Sequence, residues 1–502
     1  MVELISAMMS QITFQYILLL IKLVYLLCAA ILFLYGINSL TLSGIYLFNR
    51  KKIWAKKKSV EIKQLPVISL QLPIYNEGQL VIDLLRQVTQ LNYPKKKMQI
   101  QVLDDSTDRT QELLRKLVAE YQKKGFWIEY YHRKSQTGYK AGNLSFGLKN
   151  TSGDYILIFD ADYEPHPDFI RRILPFFSDE RVGFVQTRWT NKNLDTNLIT
   201  YMGGMTYDGH LFVEQNARSI GGLFMGFSGS AGMWRKECLL SIDGWEWDTV
   251  TEDIDASFRA QLNGWKGIYY PHALSRAELP DDMAAFKLQQ NRWARGSAQN
   301  FRKHILKVLK ASLPFKVKAM AVLHLLSYVT VPAIPISLSL ILPLSLLSGD
   351  FIKSLWWMAL GGIGPAILFS IGQLEQKEKL MERLLHLPLA LLVAVGISLD
   401  AFVGVVSGLI QKGGEFVRTP RVGEKSIILE KDKNALFLGN LAISEFLFAF
   451  YLIFSAYMLW STSGMYMIPW LLSSAIGLLF MAASTIIQTF QQQWKKLLSQ
   501  EK

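Results

Sequence analysis

The sequence predicts an α/β domain that lies in water and is inserted between membrane-spanning helices. Half of the 502 residues are apolar while 19% are charged, and the mean hydropathy of +0.18 is high for a purely soluble chain. Segments with few charges lie before residue 50 and after residue 318, whereas the part between them carries charges throughout. In that middle part, short β-branched runs alternate with helical patterns.

The basic excess and the cysteine count narrow the class of protein. A net charge of +13 is typical of binding to nucleic acid, of binding to anionic lipid, or of loops on the cytoplasmic side of a membrane. No helical or aromatic pattern suggests nucleic-acid readout, so we expect no nucleic-acid partner. The two cysteines, Cys28 and Cys238, are too few for a disulfide framework or a cysteine-rich zinc site.

The first apolar block predicts a transmembrane helix over residues 11–49. Lys22 is its only charged residue, and the block is long enough to cross a hydrocarbon core of about 30 Å. Six basic residues follow within 50–58, which is typical of a cytoplasmic stop and predicts that the N-terminus lies outside. A cleaved signal peptide is the alternative, but the apolar run is too long for one.

The apolar blocks after residue 318 predict four more spanning helices, two within 319–374 and two within 435–489. Between these pairs, 384–434 contains an apolar stretch that ends near residue 410 and is followed by a basic loop. If the basic loops on both sides of this stretch face the cytoplasm, the stretch enters and leaves the membrane on one side. We therefore expect 384–410 to be re-entrant or interfacial, with five spanning helices in all; six is the alternative.

The charged block, 59–282, predicts a mostly parallel α/β sheet. Strands are expected where β-branched residues cluster between turn signals, and helical segments separate them. The predicted strands cover residues 66–72, 99–103, 127–131, 155–159 and 182–187. In such sheets, ligands bind beyond the carboxyl ends of the strands. Functional side chains are therefore expected directly after these runs.

Two of the predicted strands end in paired aspartates. Asp104 and Asp105 follow the second strand, and Asp160 and Asp162 follow the fourth. Carboxylates spaced i, i+2 at a strand end can converge on a hard divalent cation, which prefers oxygen ligands. Such a cation would offset the charge of a bound diphosphate. An acidic turn without a ligand is the alternative for an isolated Asp-x-Asp.

These aspartates belong to an ordered series of five motifs. The series reads Pro-Ile-Tyr-Asn-Glu at 73–77, Asp-Asp at 104–105, Asp-Ala-Asp at 160–162, Thr-Glu-Asp at 251–253 and Gln-Gln-Asn-Arg-Trp at 289–293. It resembles the processive, membrane-bound family 2 inverting glycosyltransferases, which include the cellulose, chitin and hyaluronan synthases. Three further stretches, 101–108, 138–142 and 226–232, are most similar to the cellulose-synthase-like A group, the mannan and glucomannan synthases. The resemblance covers roughly residues 60–430 and implies a GT-A-like (Rossmann-like) catalytic domain.

The resemblance implies a site for a nucleotide sugar and for a divalent metal, magnesium or manganese. Asp160 and Asp162 would hold the metal. The residues assigned by resemblance to the nucleotide sugar are Tyr75, Glu77, Asp104, Asp105, Lys140, Asp160, Gln289, Arg292 and Arg421. Arg421 ends the stretch 416–421, which resembles the gating loop of these synthases but has arginine in place of two residues of the family pattern. A basic loop near anionic lipid is the alternative.

The resemblance makes Asp253 the general base, with Glu252 beside it at the site. An acceptor hydroxyl must lose its proton as it attacks the anomeric carbon, so a carboxylate suits this role. In-line attack opposite the nucleotide inverts an α-linked donor to a β-linked product without a covalent enzyme intermediate. The acceptor is expected to contact Trp293, Gly229 and Ser230, although a plain glycine–serine turn is the alternative for the last two.

Gln289, Arg292 and Trp293 have the spacing of one helical face. They lie in the segment 283–316, which is expected to form amphipathic helices at the membrane interface. Arg292 can chelate phosphate through its planar guanidinium, and Trp293 offers a flat apolar surface to a sugar. A helix that lies on the membrane with Trp293 as its anchor is the alternative.

The leading hypothesis is an inverting, processive β-glycan synthase, a hexosyltransferase that uses UDP-glucose or GDP-mannose. It would extend the non-reducing end of a polysaccharide and move the product across the membrane. The alternative is a membrane transferase that adds one sugar to a lipid such as ceramide or diacylglycerol. A third class is a polysaccharide-conducting protein with an inactive domain, against which the intact motifs argue. We expect an integral protein of a prokaryotic plasma membrane or a Golgi-type membrane, in contact with membrane lipid, with its catalytic domain in the cytoplasm; the oligomeric state is open.

Overall fold

A computed structural model describes residues 2–55, 64–376, 379–414, 432–462 and 464–500 of the chain. The part between 64 and 282 is built on one sheet of eight strands. These are β1 (Ile68–Ile74), β2 (Met98–Asp104), β3 (Ile128–His132), β4 (Tyr155–Ile158), β5 (Glu164–Pro165), β6 (Val182–Asn191), β7 (Gly232–Arg235) and β8 (Lys266–Ala277). They are ordered β3-β2-β1-β4-β7-β6-β8-β5 across the sheet.

Eight α-helices connect these strands. They are α2 (Leu80–Thr89), α3 (Thr110–Lys123), α4 (Tyr139–Lys149), α5 (Phe169–Ile173), α6 (Leu198–Asp208), α7 (Gln215–Ile220), α8 (Lys236–Ser241) and α9 (Glu252–Leu262). A short π-helical segment, Gly209–Glu214, joins α6 to α7. Helices α2 and α3 cover one face of the first half of the sheet, and α4 covers the other.

The first half of the sheet is parallel, as the sequence predicts. Strands β3, β2, β1 and β4 pair in parallel, and every residue of β2 is buried because helices pack on both of its faces. Ile74, the last residue of β1, pairs with Asp104, the last residue of β2. The two strands therefore end at the same level, and the residues that follow them share one edge of the sheet.

Three strands lie outside those that the sequence predicts. β7 has four residues and runs antiparallel to both of its neighbours, β4 and β6. β8 pairs in parallel with β6 through several register shifts, and the two-residue β5 pairs antiparallel to β8. A strand of four residues has too few alternations to be recognised from periodicity alone. The sheet is therefore mixed, and the strands of its parallel half end at the edge described above.

The remaining helices lie before and after this domain. They are α1 (Val2–Trp54), α10 (Met283–Lys310), α11 (Phe315–Leu325), α12 (Ala333–Ser354), α13 (Ile363–Leu374), α14 (Leu380–Gly396), α15 (Ser398–Ile410), α16 (Asp432–Met458) and α17 (Ile468–Gln500). Six helical stretches of the described chain are long and apolar enough to cross a membrane: Gln11–Trp54, Ala333–Ser354, Trp356–Leu374, Leu380–Ile410, Phe437–Met458 and Met465–Gln491.

The stretch 384–410, expected to be re-entrant or interfacial, comprises most of α14 and all of α15, separated at Ile397. α15 packs closely along α10. A Cβ atom added at Gly404 would lie 2.6 Å from the backbone oxygen of Asn291, and one at Gly408 would lie 2.3 Å from that of Arg295. Only glycine permits this approach. By length and composition Leu380–Ile410 is one of the six stretches, and its path through or along a membrane stays a prediction.

Candidate active site

A cavity of about 970 Å³ lies at the carboxyl ends of β1, β2 and β4, between the sheet and α10. On its far side the cavity reaches α1, α13 and α14 at Asn38, Leu368 and Ala394. Most of the predicted site residues line this one space: Tyr75, Glu77, Asp105, Lys140, Asp160, Asp162, Gly229, Glu252, Asp253, Gln289, Arg292 and Trp293. All five motifs contribute to this lining, and the second motif contributes through Asp105.

Two predicted residues of the described chain are not among those that line the cavity. Asp104 is fully buried; Tyr130 donates a hydrogen bond of 2.6 Å to its Oδ2 atom, and the amide of Ser106 donates one of 2.9 Å to Oδ1. Ser230 is also buried, and its Oγ atom accepts a hydrogen bond from the amide of Asp160. Both residues therefore support their neighbours instead of facing a ligand. Arg421, with the predicted gating loop, lies outside the described residues.

Asp105 is held by Arg133, which follows β3. The guanidinium donates two hydrogen bonds to the carboxylate, 2.8 Å from Nε to Oδ1 and 2.5 Å from Nη2 to Oδ2. Arg133 also donates to the backbone oxygens of Thr137 and Tyr139. Burial raises the pKa of Asp105, and the charge and hydrogen bonds of Arg133 oppose that rise. One arginine thus connects Asp105 with the turn that leads into α4 and Lys140.

Lys140 brings two motifs together. Its Nζ atom lies 2.7 Å from Asp160 Oδ1 and donates a 3.0 Å hydrogen bond to the backbone oxygen of Gly229. Burial would lower the pKa of Lys140, but the charges of Asp160, Glu252 and Asp253 raise it above its ordinary value. The ammonium group is therefore kept charged inside a cavity that carries an excess of carboxylates.

Gly229 occupies a position where a side chain would be strained. Its φ is +75°, and a Cβ atom there would lie 3.1 Å from Asp253 Oδ2 and 3.4 Å from Lys140 Nζ. A positive φ favours glycine because it lacks a Cβ atom. The glycine lets the loop before β7 pass directly beside the candidate base.

Asp160 and Asp162 line the cavity together and offer carboxylate oxygens, the ligands that Mg²⁺ and Mn²⁺ prefer. Asp162 is 3% exposed, and the amide of Glu278 donates a long hydrogen bond of 3.4 Å to its Oδ2 atom. Glu278 lines the same cavity. These carboxylates fit a hard divalent cation, and Asp160 and Asp162 would hold it.

A second acidic cluster lies away from the cavity edge and was not predicted. Carboxylate oxygens of Glu246, Asp248 and Asp255 lie within 4.8 Å of one another. Lys303 Nζ lies 2.6 Å from Glu246, 2.6 Å from Asp248 and 2.7 Å from Asp255. A lysine therefore already occupies the centre of this cluster, which is an internal ion-pair network.

Asp253 lies in the first turn of α9, and its Oδ1 atom accepts a hydrogen bond of 2.8 Å from the amide of Ile254. Burial and the neighbouring charge of Glu252 raise its pKa to about 7, against the opposing effects of that amide, Lys140 and Arg292. A carboxyl group with this pKa is suited to accept a proton near neutral pH.

Three aromatic side chains, Tyr207, Trp293 and Trp189, line the same cavity. The Tyr207 hydroxyl donates a 2.7 Å hydrogen bond to Gln289 Oε1, and the Tyr207 ring centre lies 5.6 Å from that of Trp293. The ring centre of Trp189, from β6, lies 5.7 Å from that of Tyr207. Flat aromatic faces combined with a fixed amide form the kind of surface on which a sugar ring packs.

Arg133 and Tyr207 were not identified from sequence. Arg133 follows a predicted strand, and that strand neighbours the one that Asp105 follows. Because ligands bind beyond the carboxyl ends of such strands, the position of Arg133 in the sequence already indicates a site residue. Tyr207 is brought to Gln289 by the packing of α6 on α10, which no local pattern in the sequence reveals. Trp189 also lines the cavity.

Comparison with known proteins agrees with this geometry. Residues 66–296 match the family model described as "Glycosyltransferase like family 2". This range contains the sheet, all five motifs and the first half of α10. Residues 66–296 are therefore similar to glycosyltransferase family 2 domains, and their mixed sheet is the GT-A-like α/β arrangement that the resemblance implies.

Two sequence relatives have names that state a more specific activity than the family does. The chain is 39% identical over 250 residues to glucomannan 4-beta-mannosyltransferase 2 of Arabidopsis thaliana, which covers 49% of this chain and 47% of that protein. It is 38% identical over 303 residues to probable glucomannan 4-beta-mannosyltransferase 7 of Oryza sativa subsp. japonica, 59% of this chain and 52% of that one. The chain thus spans about half the length of the curated relatives it matches. Among solved structures, a mannosyltransferase from Pyrobaculum calidifontis in complex with GDP-Man and Mn²⁺ has a TM-score of 0.49 at 20% identity, over 70% of this chain and all of that one.

Proposed function

We propose that this protein is an inverting, processive β-glycan synthase that transfers mannose from a nucleotide sugar to a growing polysaccharide. The observation that carries the proposal is the single cavity that joins the Asp-x-Asp carboxylates, Asp253 and the Gln289–Trp293 face, and that continues to α1, α13 and α14. The names of the sequence relatives, glucomannan 4-beta-mannosyltransferases, support mannose over glucose as the sugar.

In the proposed reaction, Asp253 accepts the proton of the acceptor hydroxyl as its oxygen attacks the anomeric carbon of the donor. The bond from that carbon to the diphosphate oxygen breaks on the opposite face, so the configuration inverts. Lys140 and Arg292 are the cations of the cavity wall that offset the charge of the departing nucleoside diphosphate. A divalent cation held by Asp160 and Asp162 would supply further charge stabilisation when bound.

The donor and acceptor lie on different sides of Asp253 in this proposal. Tyr75, Glu77 and Asp105 would contact the nucleotide at the strand ends, where Arg133 fixes Asp105. Trp293 and Tyr207 would contact the terminal sugar of the acceptor. Beyond them the cavity lining becomes that of the apolar helices. A growing chain would leave along this direction, which supports a polymer over a single sugar on a lipid.

The membrane arrangement is part of the proposal. The basic residues after α1 and in the loops of the C-terminal half support a cytoplasmic active site, because basic loops favour that side. An intracellular nucleotide sugar would then reach Asp160 directly, and the product would leave between the helices.

The product of a transfer assay tests this function. Purified protein in lipid nanodiscs is incubated with radiolabelled GDP-mannose or UDP-glucose, with Mg²⁺, Mn²⁺ or EDTA. We expect label from GDP-mannose, with a divalent cation present, in material that is insoluble in organic solvent and degraded by an endo-β-mannanase. Label that extracts with lipid would favour the lipid-acceptor alternative and contradict the proposal. Label from UDP-glucose in an endo-β-glucanase-sensitive product would retain the synthase and correct the sugar.

A further inference from the structure

Gln299 is a buried side chain of α10 that connects two segments far apart in sequence. It is 2% exposed and lies on the helix that carries Gln289 and Trp293. Its Oε1 atom accepts a 2.8 Å hydrogen bond from the amide of Val250, and its Nε2 atom donates one of 2.7 Å to the backbone oxygen of Gly413. The amide thus uses its acceptor on one segment and its donor on the other.

The acceptor half of Gln299 holds the chain that enters α9. Val250 directly precedes Thr251, Glu252 and Asp253. The next residue of α10, Asn300, donates a 2.8 Å hydrogen bond to Thr251 Oγ1. Two adjacent amide side chains of α10 therefore fix the residues that lead into the turn containing Asp253.

The donor half of Gln299 holds the chain that leaves α15. Arg295 Nη2 donates to the same oxygen of Gly413 at 2.9 Å, and Arg302 Nη1 donates to the backbone oxygen of Leu409 at 2.8 Å. Carbonyl groups at the end of a helix lack partners within it, and Arg302 satisfies that of Leu409. The amide of Gly413 donates in turn to the backbone oxygen of Asp248, at 2.7 Å. Gln299 of α10 therefore contacts both the 248–251 segment and the residues after α15, and these two segments also contact each other.

We propose that Gln299 is a positioning residue that sets Asp253 in the reaction cavity and ties its placement to the end of α15. The inference rests on the proposed function, because it assumes that Asp253 accepts the acceptor proton. Loss of the donor half leaves the oxygen of Gly413 with Arg295 alone, and loss of the acceptor half leaves the buried amide of Val250 without its partner. The segment then shifts until that group is satisfied. A shift of the first turn of α9 moves Asp253 relative to Lys140 and Gly229, which it adjoins.

A positioning role and a merely structural role of Gln299 predict different results. If Gln299 only stabilises the fold, its loss lowers the melting temperature and leaves turnover per folded molecule unchanged. If it positions Asp253, kcat falls while the KM for the nucleotide sugar changes little, since Tyr75, Glu77 and Asp105 are on other elements. The pH at which activity is half-maximal also shifts, because the charges of Glu252 and Lys140 act on the pKa of Asp253 over a changed distance.

Three variants separate these possibilities in the full-length protein in nanodiscs. Gln299→Met removes both halves of the amide. Gln299→Glu keeps an acceptor for Val250 and removes the donor to Gly413. Gln99→Met is the matched control, because Gln99 is 1% exposed, accepts from the amide of Ser152 and donates to the backbone oxygen of Asn150, away from the cavity.

We expect Gln299→Met to lower kcat roughly 10- to 100-fold with the donor KM within about twofold, and Gln299→Glu to recover a part of the loss. Hydrogen–deuterium exchange should increase in peptides over 248–254 and 409–413 for Gln299→Met, and mainly over 409–413 for Gln299→Glu. Gln99→Met should leave kcat and these peptides unchanged. Unchanged exchange in Gln299→Met, or increased exchange with unchanged kcat and pH profile, would overturn the inference. If the parent protein transfers no sugar, the proposed function fails on its own, and the exchange data still decide whether Gln299 ties the two segments.

Discussion

Two aspartates of α9, Asp253 and Asp255, are separated by one residue and have opposite environments. Asp253 lines the cavity, where Asp160, Asp162 and Glu252 accompany it and Lys140 and Arg292 are the cations. Asp255 is fully buried. Arg259 Nη2 lies 2.8 Å from its Oδ2 atom, Lys303 Nζ lies 2.7 Å from its Oδ1 atom, and His304 Nε2 lies 2.8 Å from the same Oδ1 atom.

The difference appears in the pKa values. Burial and Glu252 raise the pKa of Asp253 to about 7. Burial alone would also raise that of Asp255, but the hydrogen bond to His304 and the charges of Arg259 and Lys303 hold the pKa of Asp255 well below its usual range. A carboxylate whose partners all belong to the protein serves the fold. A carboxylate at a cavity wall where carboxylates outnumber cations is available to exchange a proton with a substrate.

Asp253→Asn should have the largest effect on activity. Loss of a general base typically costs 10²- to 10⁴-fold in rate, so we expect kcat to fall by roughly that factor with nucleotide binding retained. Initial rates of sugar transfer and calorimetric titration with GDP measure the two quantities. Retained turnover would exclude Asp253 as the base.

The stability of Asp253→Asn provides the control for folding. Because the folded-state pKa is raised, ionisation of Asp253 costs stability as pH rises from its ordinary value through about 7. The variant should therefore melt no lower than the parent at pH 8, and the difference between them should vanish below about pH 4. A lower melting temperature at pH 8 would contradict this environment for Asp253.

Asp255→Ala should instead act on the fold. Breaking a buried ion pair costs about 3–5 kcal/mol, so we expect a clear drop in melting temperature at pH 7. Because the folded-state pKa of Asp255 is lowered, its contribution is present above the unfolded value near 4 and is lost as pH falls below it. Melting curves at pH 7 and at pH 3 test this sign, and an equal loss at both would contradict it.

The pH profile of the parent enzyme should reflect Asp253 and not Asp255. We expect kcat/KM to fall about tenfold per unit as pH decreases below about 7, where Asp253 becomes protonated. Rates measured from pH 5 to 9 in a constant-ionic-strength buffer give this curve. A half-maximal point near 4 would indicate that a carboxyl group with an ordinary pKa accepts the proton.

Arg133→Lys should have a smaller effect than the substitutions at Asp253 and Asp255. Lysine keeps the charge beside Asp105 but cannot make the two parallel hydrogen bonds of the guanidinium. We expect the KM for the nucleotide sugar to rise severalfold while kcat stays close to that of the parent. A fall in kcat at unchanged KM would place Arg133 with the reacting atoms instead.

The carboxylates of the cavity were predictable because their signals are local. Buried runs that contain β-branched residues mark β1, β2 and β4, and Asp105, Asp160 and Asp162 follow β2 and β4. Asp104 was assigned together with Asp105 because motifs do not resolve which face a side chain takes. Successive residues of an extended chain point to opposite sides, so only one of this pair faces the cavity.

Other parts of the site depend on contacts distant in sequence. Tyr207 meets Gln289 through helix packing, and Gln299 meets Gly413 across a separation of more than 100 residues. The four-residue β7 takes its place only through pairing with β4 and β6. No pattern within a few residues encodes such contacts, so sequence reasoning reaches the motifs but not the elements that support them.

The most direct test of the contrast between the two aspartates is one side-by-side rate measurement. Parent, Asp253→Asn and Asp255→Asn are assayed at pH 8 for transfer of labelled mannose into endo-β-mannanase-sensitive polymer, with rates expressed per folded molecule. We predict near-parental transfer by Asp255→Asn and a loss of 10²-fold or more in Asp253→Asn. Equal losses in both variants, or transfer retained in Asp253→Asn, would contradict the assignment of Asp253 to the chemistry and Asp255 to the fold.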